Sequence, residues 1–299
     1  MGTPAVSRGA TWLITPATAP HRFPSARDCG ADVALFDLED SVPDHCKDQA
    51  RAAALGFLAE TETEAADGDA TVLGLRLNAL GTLPGLRDLI AVAESGVRPA
   101  VLLIPKVESP RDVDLVSRLL AGDGNSPEVW ALIETPLAIH HLHEVLASRS
   151  LAGVVFGAAD YAAAAGCRRT ADALRYPKAA LATGAASAGV PAIDSPYFDL
   201  ADPEGLRQEA EEAADLGFAG KGAVHPRQLA VIQSAFLPSP EELDHARAVV
   251  RAADSTDAAQ GITVADGSMI GPPLVAAARA LTDQADHSSA AGPPTHQEP

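Results

Sequence analysis

Carboxylates recur at one kind of place in this sequence, directly after short apolar runs. Val33 to Phe36 is followed by Asp37, Leu38, Glu39 and Asp40; Val101 to Ile104 leads into Pro105, Lys106, Val107 and Glu108. Val129 to Ile133 ends in Glu134, Thr135 and Pro136, and Val154 to Phe156 runs through Gly157 into Ala158, Ala159 and Asp160. The run Val72 to Leu77 carries Arg76, Pro191 to Ile193 ends at Asp194, and Gly220 to Val224 leads through Lys221 to His225 and Pro226. Acids gathered in this way repel one another unless a positive charge sits among them. A hard divalent cation meets that need, because Mg²⁺ takes one or two carboxylates and fills its other positions with water and substrate oxygens. Glu134 and Asp160, on consecutive runs, are the candidate ligands. Asp37, Glu39 and Asp40 are placed to accept hydrogen bonds from the waters of such an ion.

Each residue also has a plainer reading. An acid after a strand commonly caps the next helix, and Glu134 ahead of Thr135 and Pro136 fits that role. Arg76 can serve as an ion-pair partner for the Asp37 to Asp40 cluster as readily as it can bind a substrate. Lys106 and Lys221 read as salt bridges, and His225 before Pro226 as a hydrogen-bonded structural histidine. His140, His141 and His143 read as a solvated helix face.

Chemistry at these positions requires the runs to be strands that end together. Eight are present: the seven runs just described, with Asp194 and Lys221 on two of them, are joined by Trp12 to Thr15, and most lack polar alternation, as strands covered on both faces do. Stretches with helical start signals lie between them, such as Ser109 and Pro110 ahead of Arg111 to Leu120, or Asp202 and Pro203 ahead of Glu204 to Leu216. Eight strands alternating with helices predict a (β/α)₈ barrel over residues 1–238, with reactive groups at the C-terminal ends of the strands. Beyond Pro238 a helix (Pro240 to Ala253), a short segment (Gly261 to Asp266) and a last helix (Pro273 to Leu281) form a C-terminal helical extension over 239–285. Residues 286–299 read as a disordered tail.

Bulk properties exclude other classes. A formal charge of -18 with only 22 Lys and Arg in 299 residues argues against nucleic acid as a partner. No apolar run reaches the roughly 18 to 20 residues of a membrane span, and the N-terminus lacks a signal-peptide layout, so a cytoplasmic protein is expected. Cys29, Cys46 and Cys167 have no metal spacing and read as free thiols.

The segments ADVALFDLED (Ala31 to Asp40), LRLN (Leu75 to Asn78), IPKVE (Ile104 to Glu108), IETPL (Ile133 to Leu137), FGAAD (Phe156 to Asp160), AIDSPY (Ala192 to Tyr197), GFAGKGAVHP (Gly217 to Pro226) and DGSMI (Asp266 to Ile270) follow one another in a familiar order. The sequence resembles the citrate lyase beta subunit-like branch of the HpcH/HpaI aldolase superfamily, which includes malyl-CoA and citramalyl-CoA lyases. The resemblance spans about residue 10 to 281. It implies a (β/α)₈ barrel with Mg²⁺, or Mn²⁺, on Glu134 and Asp160, and Arg76, Glu134 and Pro136 binding an oxo or hydroxy acid. It also implies that Asp266 reaches a neighbouring subunit's site as the acid/base, hence a homo-oligomer, a trimer or hexamer. The implied reaction is retro-aldol cleavage of a 3-hydroxyacyl thioester to an acyl thioester and a 2-oxo acid.

One departure bears on the acyl carrier. Relatives usually have a Pro-Gly-Asn-Arg type loop after the first strand and a lysine soon after it. Here the loop is Thr15-Pro16-Ala17-Thr18-Ala19-Pro20-His21-Arg22, with Ser25 at the lysine position. The substrate is therefore a coenzyme A thioester, a carrier-protein thioester, or a free acid handled by a class II aldolase. A non-catalytic barrel subunit of a lyase assembly is the reading from outside catalysis, and joint retention of Arg76, Glu134, Asp160 and Asp266 speaks against it.

Overall fold

The computed structural model describes residues 10–62, 71–122, 126–255, 263–265 and 268–290. It divides into two units, Met1–Phe236 and Leu237–Pro299. In the first, eight strands close into a parallel barrel: β1 (Ala10–Pro16), β2 (Val33–Asp37), β3 (Val72–Arg76), β4 (Val101–Ile104), β5 (Glu128–Ile133), β6 (Leu151–Phe156), β7 (Ala192–Asp194) and β8 (Gly220–Ala223). The barrel closes where Ala10 to Leu13 of β1 pair with Gly220 to Ala223 of β8. The helices between strands are α1 (Phe23–Asp28), α2 (Lys47–Glu62), α3 (Leu83–Ser95), α4 (Pro110–Leu119), α5 (Pro136–His140), α6 (Leu142–Leu146), α7 (Ala158–Ala165), α8 (Ala171–Ala188), α9 (Pro203–Leu216) and α10 (Leu229–Phe236). This is the (β/α)₈ barrel that the eight runs predict.

Alternation along each strand sorts the core into two parts. Trp12, Val33, Leu35, Val101, Leu103, Trp130, Leu132, Val155 and Ile193 form one buried cluster inside the barrel. Their neighbours Leu13, Ala34, Phe36, Leu102, Ile104, Ala131 and Val154 pack in a second cluster with helix residues such as Val113, Leu181 and Leu206. The two Trp rings fill the interior with centroids 4.5 Å apart. Gly153 makes that possible, since a Cβ there would sit 2.2 Å from the Trp130 ring.

The same period of two decides which polar residues reach the mouth, because side chains two apart on a strand share a face. Asp37 follows Val33 and Leu35, Arg76 follows Val72 and Gly74, Glu134 follows Trp130 and Leu132, and Ser195 follows Ile193. All four extend interior rows past the apolar layers. Asp194 and Lys221 are one residue out of phase and face the helices.

In the second unit, α11 (Pro240–Ser255), a two-stranded antiparallel pair β9 (Thr263–Ala265) and β10 (Ser268–Ile270), and α12 (Pro272–Ala290) enclose a small core of Ala246, Val249, Ile270 and Ala278. The structure carries α12 through Ala290, so residues 286–290, read from the sequence as the start of a disordered tail, are helical. Asp266, between β9 and β10 in sequence, lies outside the described residues. Among the described residues no helix is long and apolar enough to cross a membrane.

Candidate active site

A cavity of about 430 Å³ opens at the C-terminal mouth of the barrel, lined by Asp37, Asp40, Ser41, Arg76, Glu134, Asp160 and Ser195 above apolar walls that include Ile14, Leu103, Leu132 and Val155. Its construction starts from strand register. Asp37 and Arg76 are cross-strand partners on β2 and β3, which places a carboxylate beside a guanidinium at the last rung. The pair is bidentate: Arg76 Nε donates to Asp37 Oδ1 at 2.6 Å and Nη2 to Oδ2 at 2.7 Å. The Arg76 Nη1 group lies 3.1 Å from Glu39 Oε2 and donates to Asp40 Oδ2 at 3.3 Å.

Asp37 is fully buried. Burial alone would raise its carboxyl; the charge and hydrogen bonds of Arg76, with the Ser41 hydroxyl and the Glu39 amide, hold it below the usual carboxylate range. A carboxylate has about four lone-pair sites, and the donors from Arg76, Ser41 and the Glu39 amide occupy those of Asp37. Asp37 thus anchors Arg76 in the ion pair that the plainer reading of Arg76 expects. Asp37→Asn should leave the guanidinium free to swing, and a displacement near 1 Å costs about 10²-fold in rate. Steady-state kinetics checks this: kcat/KM should fall while far-UV circular dichroism is unchanged.

Glu134 and Asp160 come from the ends of β5 and β6. Glu134 is 1% exposed, and Gly157 on the neighbouring strand clears space for it, since a Cβ there would lie 2.4 Å from Glu134 Cβ. Its Oε1 accepts the main-chain N–H of Lys106 at 2.9 Å. Burial, compounded by the charges of Glu39 and Asp160, pushes the Glu134 carboxyl up to about 8 against the pull of Lys106. Asp160 lies in the first turn of α7, whose N-cap Gly157 offers no side-chain cap. The Lys106 ammonium donates to Glu39 Oε1 at 2.8 Å and stands 3.9 Å from Glu134 Oε1 and 3.8 Å from Asp160 Oδ1. Lys106 is therefore the salt-bridge residue the sequence suggests, with three acids around it.

Lys221 in a salt bridge and His225 as a structural residue agree with the sequence reading, and Pro136 stands apart from the site. Pro136 does not line the cavity: it is the exposed first residue of α5, where its fixed φ and missing N–H suit a helix start capped by Thr135. Asp194 and Lys221 lie away from the mouth, joined at 2.6 Å and extended to Glu209 and Lys178. His225 accepts the Arg227 amide through Nδ1, a structural role. The sequence reading misses Ser195, whose buried Oγ has no hydrogen-bond partner among the described residues and borders the cavity. Its place two residues past Ile193 on an interior row is the signal that could have found it.

A closed barrel whose C-terminal mouth gathers acids around a lysine and an arginine has the layout of an enzyme of the (β/α)₈ class, where reactive groups sit at that face. The sequence matches the family described as HpcH/HpaI aldolase/citrate lyase over residues 11–226, from β1 past the end of β8, and the chain belongs to that family. It is 33% identical over 261 residues to a (3S)-malyl-CoA thioesterase of Cereibacter sphaeroides, covering 86% of this chain and 88% of the relative. It is 30% identical over 306 residues to an L-malyl-CoA/beta-methylmalyl-CoA lyase of the same species, covering 93% and 95%. The crystal structure of protein CitE from Mycobacterium tuberculosis in complex with magnesium, acetoacetate and coenzyme A superposes with a TM-score of 0.80 at 32% identity, covering 95% of this chain and 100% of that one.

Proposed function

We propose that this chain is a magnesium-dependent lyase that cleaves, or in reverse forms, the carbon–carbon bond of a 3-hydroxyacyl coenzyme A thioester of malyl, citramalyl or citryl type, with a 2-oxo acid as the second fragment. The observation that carries this reading is the convergence of Glu134 and Asp160 on one cationic position, 3.9 and 3.8 Å from the same ammonium, in a cavity that Arg76 also lines. The donor set fits the ion: both donors are hard oxygens, and no group of three or more His, Cys, Asp or Glu among the described residues forms a closed cage. An ion that keeps several waters and substrate oxygens needs no such cage.

When bound, Mg²⁺ supplies Lewis-acid stabilisation of the charge on the oxo acid's oxygens. The protein's own groups do the rest. Arg76, held in plane by Asp37, pairs with the acid's carboxylate through Nη1, which gives up its contacts with Glu39 and Asp40 to do so. The uncapped N-terminus of α7, which borders the cavity, favours the same negative charge. The Ser195 hydroxyl offers a hydrogen bond to the bound acid. Apolar walls below these groups keep the reacting oxygens out of bulk water, where each charge interaction would be weaker. Asp266 moves the proton at the acyl carbon, delivered from a second copy of the chain in a trimer or hexamer.

The test is an assay of malyl-, citramalyl- and citryl-CoA with Mg²⁺ and with chelator, resolving all products. An acyl thioester plus a 2-oxo acid supports the lyase. Free thiol plus intact hydroxy acid supports thioester hydrolysis, the second reading that the thioesterase relative favours. Turnover of free 4-hydroxy-2-oxo acids alone would replace both, in keeping with the altered loop Thr15 to Arg22. Absence of any turnover would favour the scaffold. Asp266→Asn should abolish turnover while leaving Mg²⁺ affinity by calorimetry unchanged. Mixing it with an Arg76→Ala chain should restore part of the activity if the two residues serve one site from different subunits; no restoration would remove the shared-site assignment.

A further inference from the structure

We propose that the Lys106 ammonium is a tethered cation that fills the carboxylate cluster of the metal-free protein and vacates it when a divalent ion binds. This rests on Glu134 and Asp160 being the metal ligands. Three features of the structure support it. The ammonium is ringed by Glu39, Glu134 and Asp160 at 2.8, 3.9 and 3.8 Å, the position from which a positive charge serves all three. Lys106 is also the only non-glycine with positive φ among the described residues, at 54°, a conformation that L side chains adopt at a cost. That backbone turn lets one residue act twice: its N–H fixes Glu134 Oε1 at 2.9 Å while its side chain folds back over the same carboxylate. Finally, the side chain is 40% exposed, unlike the buried Lys221, so it has a path into solvent.

An ammonium and a divalent cation repel strongly at such separations, so the two compete for one set of acids. The amide contact to Glu134 survives the exchange because it belongs to the main chain. Lys106 is in this sense a positioning residue. Its side chain keeps three acids gathered in the absence of metal, which lowers the energetic cost of collecting them and also sets a threshold that the ion must overcome.

The experiment is Mg²⁺ titration by calorimetry, with melting temperatures recorded with and without the ion, on the wild type, Lys106→Met and Lys106→Gly. The glycine variant removes the charge while suiting the positive φ, so it folds even where methionine is strained. With the competitor removed, Mg²⁺ affinity should rise by about tenfold, as when a binding-competent state of about 10% becomes fully populated. The metal-free melting temperature of both variants should fall, and saturating Mg²⁺ should recover it. Unchanged or weakened Mg²⁺ affinity in both variants, with the wild type binding normally, overturns the competition and leaves the metal assignment standing. A wild type that binds no Mg²⁺ overturns both.

Discussion

Glu134→Gln is expected to lower turnover by about 10³-fold, the scale of losing a principal electrostatic stabiliser of developing charge, while making the metal-free protein more stable at neutral pH. The two effects have one cause. Glu134 is almost completely buried beside two other acids, and its carboxyl is held up to about 8. A raised carboxyl means that, between its ordinary value of 4.5 and about 8, the folded metal-free protein keeps a proton that the unfolded chain has released. Stability therefore falls as pH rises through that window, by up to about 1.4 kcal/mol per pH unit. Glutamine keeps the shape and the acceptor for the Lys106 amide but carries no titrating group, so this slope should flatten. Denaturant unfolding of chelated protein at several pH values measures it, and parallel slopes for wild type and variant would contradict it. A metal bound at Glu134 must displace the same proton. Calorimetry at pH 7 in buffers of different ionisation enthalpy should report release of about one proton per ion, and none in Glu134→Gln. Turnover that survives the substitution would remove Glu134 from the site.

Sequence alone carried far in this chain because the barrel's strands are short, apolar and covered on both faces, so each announces itself and its polar C-terminal end. Glu134 and Asp160 could be placed side by side because β5 and β6 are consecutive, and the order of the chain is enough to say so. What depends on register was not legible. Asp37 pairs with Arg76 because those two residues share a rung between β2 and β3. Nothing in either segment says whether the acid meets the arginine or a water. Phase within a strand was legible but easily overlooked: Asp194 and Ser195 differ by one position, and that single step sends one to the helices and the other to the cavity. Pro136 marks a different limit. A motif places a residue next to the site in sequence, but the start of α5 turns it outward. Lys106 shows a third, since a left-handed lysine has no sequence signature that distinguishes it from an ordinary turn.

Asp194→Ala should be the most destabilising of the single substitutions considered. Asp194 and Lys221 share a rung between β7 and β8 and meet at 2.6 Å with neither side chain exposed, while Lys178 from α8 stands 3.1 Å from the same carboxylate. Burial would raise this acid, but the two ammonium charges and their hydrogen bonds hold it below its ordinary 3.8. Burial would likewise lower Lys221, yet Asp194 and Glu209 keep it above its ordinary 10.5. The contribution of the depressed acid is present above 3.8 and fades as pH falls through its folded value. That of the raised lysine is present below 10.5 and is lost only in stronger base. The network is at full strength across the whole neutral range. Removing Asp194 takes the carboxylate from the buried Lys178 ammonium and leaves Lys221 with Glu209 alone, and breaking a buried ion pair from one side costs about 3 to 5 kcal/mol. For a unit of this size, that is a fall in melting temperature of roughly 10 °C. The triple change Asp194→Leu, Lys178→Met and Lys221→Met should recover much of the loss, because well-packed apolar groups match a buried ion cluster in stability. It should not recover activity: the Lys221 ammonium also holds the Ser195 carbonyl at 2.7 Å, and with it the hydroxyl at the cavity wall. A stable but slow triple variant would separate the two tasks of this cluster, and a triple variant as active as the wild type would show that Ser195 needs no such support.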